Sequence, residues 1–409
     1  MSFRTTLIVL NIVALAVIAG VIVWRVFSLK REKEAAPANL TKFLEDEDLE
    51  GRRLERVLGW SLLFVLVIAI SLPVYFLVEP SRQVVAKDAF LERSVERGAV
   101  LFANNQSPNY ESAKSLLCAN CHGTKAEGAA APFVLQPESD RCLVAQNKGN
   151  PDVPECLPQP VSWQAPALNT VLLRFTRSQV KHILNYGRPG TPMPAWGIIS
   201  GKGVLNEQGI DDLVNYLASL QISSTEAEAI SRQAVNEYRV GGRQLVKDQR
   251  KALTTAEDAL AEVQADRTAT AKSKAQAQAA VVQAQAQFDA AVAYGTDVQS
   301  LSDGAVLFRL NCARCHTKGW SYYDPTNLKV APPAPQGSGA YGPNLTGGST
   351  KLQFPGRAGV QQQFDWVAVG VPANQQYGVR GISSGRMPHF SNQLSDAEIK
   401  AIVKYERSL

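Results

Sequence analysis

The chain has 409 residues, of which 45% are hydrophobic and only 19% charged, with a net charge of +5 at pH 7. That length allows two or three domains. The charges are dispersed and nearly balanced, which argues against a nucleic-acid-binding protein with its concentrated basic face.

In chain order, the first elements are two uncharged apolar segments, Thr5–Trp24 and Leu58–Val78, each long enough as a helix to cross a bilayer. The first is longer than the apolar core of a secretory signal, and no clear small-residue cleavage site follows it. The stretch between them carries Arg25, Lys30, Arg31, Lys33, Lys42, Arg52, Arg53 and Arg56, whereas the tail before them carries only Arg4. The positive-inside rule therefore places a linker, residues 28–56, in the cytoplasm and both ends of a two-helix hairpin, residues 1–80, outside. Trp24, Trp60 and Tyr75 lie near the span ends, where interfacial aromatics belong. The acidic run Glu45-Asp46-Glu47-Asp48 reads as a solvated part of the linker. No charged residue lies inside either span to mark a proton or quinone path, so the hairpin reads as an anchor and assembly element.

Residues 81–222 and 299–409 each contain one copy of a short motif. Cys118-Ala119-Asn120-Cys121-His122 recurs as Cys312-Ala313-Arg314-Cys315-His316. This C-x-x-C-H pattern attaches c-type haem: the cysteines form thioethers and the histidine reaches the iron. A structural zinc would need four ligands, and no second Cys/His pair adjoins either motif. Beyond the initiator the chain has two methionines, Met193 and Met387, each followed by proline and each 71 residues beyond the histidine of its motif. Methionine often fills gaps in cores, but this chain hardly uses it elsewhere. Both are therefore read as the sixth ligands, giving His122/Met193 and His316/Met387 pairs that raise the reduction potential. Of the remaining histidines, His182 and His389 read as structural. Tyr186, Arg188, Trp196 and Arg386 flank the Met loops and read as neighbours of the haem rings or propionates.

Two cysteines remain, Cys142 and Cys156, bracketing a polar, Pro-rich stretch that reads as an insertion. Haem c is attached outside the cytoplasm, where disulfides persist, so a disulfide is expected in preference to two free thiols. The same compartment agrees with the hairpin orientation above.

Between the two motif-bearing regions, residues 223–298 are rich in Ala, Gln, Lys, Glu and Arg, all good helix formers. Val246, Leu253, Ala256, Leu260 and Val263 fall on one stripe, and Ala277, Val281, Ala284, Phe288 and Ala291 on another, with a polar break at 266–270. That spacing predicts an antiparallel helical hairpin or coiled coil, with one long helix or a tether as alternatives. It reads as a spacer, or less directly as a docking arm. Gly241-Gly242 reads as a kink or turn and not as a phosphate loop.

With these motifs on the page, the chain resembles class I cytochrome c domains, twice over. The first copy opens with Gly98-Ala99-Val100-Leu101-Phe102 and the second with Gly304-Ala305-Val306-Leu307-Phe308. The resemblance implies an N-terminal helix crossing closely over a C-terminal one, here Asp211–Leu217 and Ala397–Tyr405. Ser395 with Glu398 reads as a capping box at the start of the second. It further implies a proline whose carbonyl holds the haem histidine, a role that fits Pro166 and Pro343. The fold class is thus mainly α: a transmembrane hairpin, two cytochrome c domains and a helical insert.

Two covalently bound haem c groups are expected, with no catalytic site of the chain's own, no small-molecule substrate and no nucleic acid. In outline the chain is similar to the dihaem cytochrome c subunit of actinobacterial-type quinol–cytochrome c reductases, though its anchor is N-terminal and its insert is long. The implied function is electron transfer in a bacterial plasma membrane, from a quinol-oxidising complex with cytochrome b and a Rieske protein towards a terminal oxidase or soluble carrier. A cytochrome bound directly to an oxidase is the first alternative. A dihaem peroxidase is the second, though it would need an iron position open to substrate.

Overall fold

The computed structural model describes residues 12–13, 16–25, 27, 46, 50–135, 142, 144, 147–149 and 156–409. These fall into two units, Met1–Ala86 and Lys87–Leu409. The described residues are mainly helical, with two short two-stranded sheets.

In the first unit, Ala16–Arg25 (α1) is a short apolar helix. The rest of the first expected span and most of the linker 28–56 lie outside the described residues. The second expected span lies within Arg52–Phe102 (α2), a helix of 51 residues that is long and apolar enough to cross a membrane. Its side chains from 58 to 77 are exposed on all sides, and a helix apolar all round is at home only in apolar surroundings. Pro73 and Pro80 lie inside α2 without ending it. Each lacks an amide hydrogen and removes one ladder bond. The expected boundary at residues 80/81 is therefore no break in secondary structure.

The second unit contains two similar helical cores. In the first, α2 crosses Glu207–Ser219 (α6) at Gly98, where a Cβ would stand 2.1 Å from the Asp212 carbonyl oxygen. Only glycine permits that approach, and Phe102 then packs on Tyr216 with ring centroids 5.5 Å apart. In the second, Asp303–Asn311 (α9) crosses Asp396–Glu406 (α13) at Gly304, where a Cβ would stand 2.1 Å from the Ala401 oxygen. Phe308 packs on Tyr405 at 5.4 Å. The expected C-terminal helices are thus present, and the Ser395–Glu398 capping box closes the start of α13.

Between motif and methionine the cores differ. The first carries an antiparallel pair, Ala130–Leu135 (β1) and Gln159–Gln164 (β2), and the Cys142–Cys156 disulfide is formed. Short helices Val171–Arg174 (α4) and Arg177–Tyr186 (α5) follow. The second instead carries Ser349–Gln353 (α11), Gly356–Val369 (α12) and the small pair Gln376–Tyr377 (β3) and Gly381–Ile382 (β4).

The insert is two helices, Ser224–Ala265 (α7) and Ala271–Ser300 (α8), so the second ends two residues beyond the expected boundary. Arg243 meets Gln299, Val246 meets Gly295, and Arg250 lies over Phe288. Partner numbers fall as the first rise, which defines an antiparallel pair. Every residue of the two predicted stripes is buried or half-buried. One expectation is overturned: Gly241-Gly242 form no turn but lie within α7. Gly242 is buried at the closest approach of the pair, where its Cβ would stand 3.2 Å from Val298.

Candidate haem-binding sites

The first motif forms the short helix Cys118–His122 (α3), and the second falls largely on Ala313–His316 (α10). One helical turn brings the two cysteines of each motif to one side of the histidine, as a C-x-x-C-H attachment requires. The four motif cysteines form no disulfide in this structure. Burial pushes the Cys118 thiol up to about 12. Cys312 is raised as well, by burial and then by the neighbouring Glu406 carboxyl. Such apolar surroundings suit a neutral thioether better than a zinc thiolate. Among the described residues no group of three or more His, Cys, Asp or Glu side chains could hold a metal ion.

Both histidines are buried and held in the same way. His122 Nδ1 lies 2.9 Å from the Pro166 carbonyl oxygen, and His316 Nδ1 lies 2.9 Å from that of Pro343. A carbonyl can only accept, so each Nδ1 carries the proton and each Nε2 presents a lone pair, the form a metal ligand needs. Burial lowers the pKa of both rings, and the Arg314 charge adds to the effect at His122. Both changes keep the imidazole neutral. Gly342 lies flat against the His316 ring, where a Cβ would stand 2.5 Å from Cε1.

Met193 packs on the core that holds Ala119 and Cys118, and Met387 packs on the core that holds Cys312 and Ala313. Each methionine thus shares a core with its own motif. Trp196 joins the first core, Arg188 lies over the Phe175 ring at 5.6 Å, and Arg386 is exposed. Tyr186 and His182 are exposed and lie against each other. His389 contributes a backbone N–H to Arg174. Sequence reasoning missed Arg174, which sits in neither the motif nor the Met loop. Its only signal was a lone cation following the apolar run Val171-Leu172-Leu173.

Residues 95–221 match the family model described as cytochrome c, and residues 299–405 match that described as cytochrome C oxidase, cbb3-type, subunit III. No curated protein and no solved structure gives a match. The chain carries two cytochrome c-type domains, which imply covalently bound haem c and electron transfer as its chemistry.

Proposed function

We propose that this chain is a membrane-anchored dihaem cytochrome of a bacterial respiratory chain. Cys118, Cys121, His122 and Met193 hold one haem, and Cys312, Cys315, His316 and Met387 the other. The observation that carries the reading is the repeated 2.9 Å contact between a motif histidine and a proline carbonyl, made once in each domain. Bound haem supplies one-electron chemistry between ferric and ferrous iron. The chain's own residues do the rest. Pro166 and Pro343 fix the ring planes, each methionine offers a soft sulfur that favours the ferrous state, and the packed cores keep water away.

The long apolar α2 supports a membrane anchor, with the haem domains on the extracytoplasmic side. Electrons would enter from a quinol-oxidising complex with cytochrome b and a Rieske protein, and leave towards a terminal oxidase or soluble carrier. The description of the family model matching residues 299–405 favours a second reading, a cytochrome subunit seated directly on an oxidase.

Purification of the full chain from its native membrane in mild detergent tests both readings. Two low-spin haems per chain are expected, in company with cytochrome b and a Rieske protein for the first reading or with an oxidase alone for the second. One haem per chain, or a high-spin haem in either redox state, overturns the dihaem electron-carrier assignment.

A further inference from the structure

The two loops that carry the candidate methionines are secured differently. In the second domain, buried Ser383 ties the Met387 loop into its own core. Its hydroxyl donates to the Val371 carbonyl at 2.7 Å and accepts from the Gly385 amide at 3.0 Å. Its backbone N–H donates to the Gln375 carbonyl at 2.8 Å. In the first domain, the Met193 loop leaves α5 at Gly187, whose amide donates to the Ile183 carbonyl at 2.8 Å. It returns at Trp196, whose amide donates to the Leu184 carbonyl at 2.9 Å. Inside the loop, the Arg188 amide donates to the Met193 carbonyl at 3.1 Å, and the Thr191 hydroxyl to the Arg188 carbonyl at 2.8 Å. These bonds close the base of the loop. Its exposed tip, Gly190, is held from the other domain: the Tyr341 hydroxyl donates to the Gly190 carbonyl at 2.6 Å.

The contact depends on both residues. Gly190 has a φ of +79°, and a Cβ there would stand 3.3 Å from Tyr341 Cε1. Any other residue would be strained in this left-handed conformation and would press on the ring. Tyr341 is itself exposed, so no core demands a ring at this point; its polar end makes the bond. The next two residues serve the other site. Gly342 donates its amide to the Cys315 carbonyl at 2.7 Å and lies against the His316 ring. The Pro343 carbonyl holds His316 Nδ1 at 2.9 Å. Three consecutive residues thus touch the Met193 loop of one domain and the motif histidine of the other. Two more contacts keep the domains side by side: His389 donates its amide to the Arg174 carbonyl at 3.4 Å, and Trp163 meets Tyr322 at 5.5 Å.

We propose that Tyr341 of the second domain is a positioning residue for Met193 of the first. Its hydroxyl holds the loop tip and makes the thioether harder to displace from iron. A loop free at its tip would swing aside more readily for a competing ligand, whereas the Met387 loop has its own internal tie in Ser383. The inference rests on the dihaem reading, with Met193 as a ligand. It makes the ligand set of the first domain depend on the second.

The test is ligand competition in the full-length ferric holoprotein. Imidazole is titrated against the wild type, Tyr341→Phe, Met193→Ala, Met387→Ala and the double variant Tyr341→Phe with Met193→Ala. Binding is followed in the sulfur–iron band and the main haem absorption. Phenylalanine keeps the exposed ring and removes only the hydroxyl. The haem whose band is missing in Met193→Ala belongs to the first domain. Tyr341→Phe should bind imidazole there about two- to tenfold more tightly, the equilibrium equivalent of one ordinary hydrogen bond, with the Met387 site unchanged. In the Met193→Ala background no methionine is left to hold, so adding Tyr341→Phe should change nothing. Unchanged affinities in Tyr341→Phe overturn the assignment. So does a shift confined to the Met387 site, or one that persists in full without Met193. Two haems per chain, each with a sulfur–iron band in the wild type, keep failure of this contact distinct from failure of the dihaem reading.

Discussion

The two cytochrome domains arrive at the same spacing between motif histidine and methionine by opposite routes. In the first, 44 residues separate His122 from Pro166, and 27 more lead to Met193. In the second, 27 residues separate His316 from Pro343, and 44 lead to Met387. The first domain spends its extra length before the proline, on the β1–β2 pair and the Cys142–Cys156 disulfide. The second spends it after the proline, where α11, α12 and the β3–β4 pair lie. The shared total is therefore not a shared local architecture. What repeats is a set of contacts: the glycine crossing, the aromatic pair and the proline carbonyl on the histidine. Each extra segment then does a separate job. β2 brings Trp163 to Tyr322 of the other domain, and α12 brings Gln363 to the buried carboxyl of Glu406.

The largest expected difference comes from removing one methionine at a time. Met193→Ala and Met387→Ala should each abolish the far-red sulfur–iron band of one haem and leave both haems covalently attached. Each should lower one midpoint by a few tenths of a volt, within the ~0.8 V range over which axial ligands set haem potentials. Potentiometric titration then assigns the two midpoints to the two domains. An unchanged band and unchanged potentials would remove that methionine from the ligand set.

The C-terminal helices sharpen the comparison through their buried carboxylates. Asp212 on α6 is paired, accepting from Arg97 at 2.7 and 2.8 Å and from Ser94 at 2.6 Å. Glu406 on α13 accepts from the Gln363 amide at 2.9 Å, and burial raises it from 4.5 to about 7. The folded state thus holds the Glu406 proton more tightly than the unfolded chain does. That contribution is fully present below pH 4.5, falls as pH rises towards 7, and is constant above. A shift of this size corresponds to about 3 kcal/mol between the two limits. Urea unfolding across this range, with Glu406→Gln as reference, should show the wild type losing ground to the variant as pH rises. Parallel pH profiles would mean that Glu406 ionises freely in the folded protein.

Much of this was legible in the sequence because the residues concerned act over short range or admit few substitutes. The motifs and the Ser395 cap fall in this class, whereas the two prolines and both glycine crossings came from the resemblance to class I cytochrome c domains. The alanine-lined stripes of α7 and α8 were readable for the same reason, since helical period alone sets the face. The β1–β2 pair was not. Its strands contain Pro132 and Pro160, which argue against a sheet interior, and a two-stranded ribbon tolerates them because it has only edges. Its stability comes from Phe133 against Trp163 and Trp163 against Tyr322, partners that no local pattern announces. Gly241-Gly242 was misread because a glycine pair looks like a turn, whereas here one glycine serves helix packing.

The glycine crossings offer a third and smaller contrast. Gly98→Ala and Gly304→Ala each place a Cβ 2.1 Å from a backbone oxygen, and Gly98→Ala also meets Tyr216 Cβ at 2.6 Å, against 3.3 Å to Tyr405 Cβ for Gly304→Ala. Backbone cannot yield as a flexible side chain can, so each change should cost roughly 1–3 kcal/mol, more at Gly98. Chemical unfolding followed at the haem absorption of each variant measures this. Equal or negligible losses would show that the helices separate freely, and that the crossing is no tighter in one domain than in the other.

The smallest effect is expected in the insert, which separates packing from propensity. Gly242→Ala brings a methyl 3.2 Å from Val298 Cγ1, with the Gly295 Cα at 3.7 Å, so the nearest atom belongs to a side chain. Alanine also improves on glycine inside a helix by about 1 kcal/mol. The two terms nearly cancel, and the net change should stay within about 1 kcal/mol of zero, with both haem potentials unmoved. Gly295→Ala meets Val246 Cγ2 at 2.8 Å and the Gly242 oxygen at 3.2 Å; backbone stands on one side there, so loss should outweigh gain. A destabilised Gly295→Ala beside a neutral Gly242→Ala would show that α7 and α8 are held by close contact. Equal gains in both would show a pair loose enough for helix propensity alone to decide.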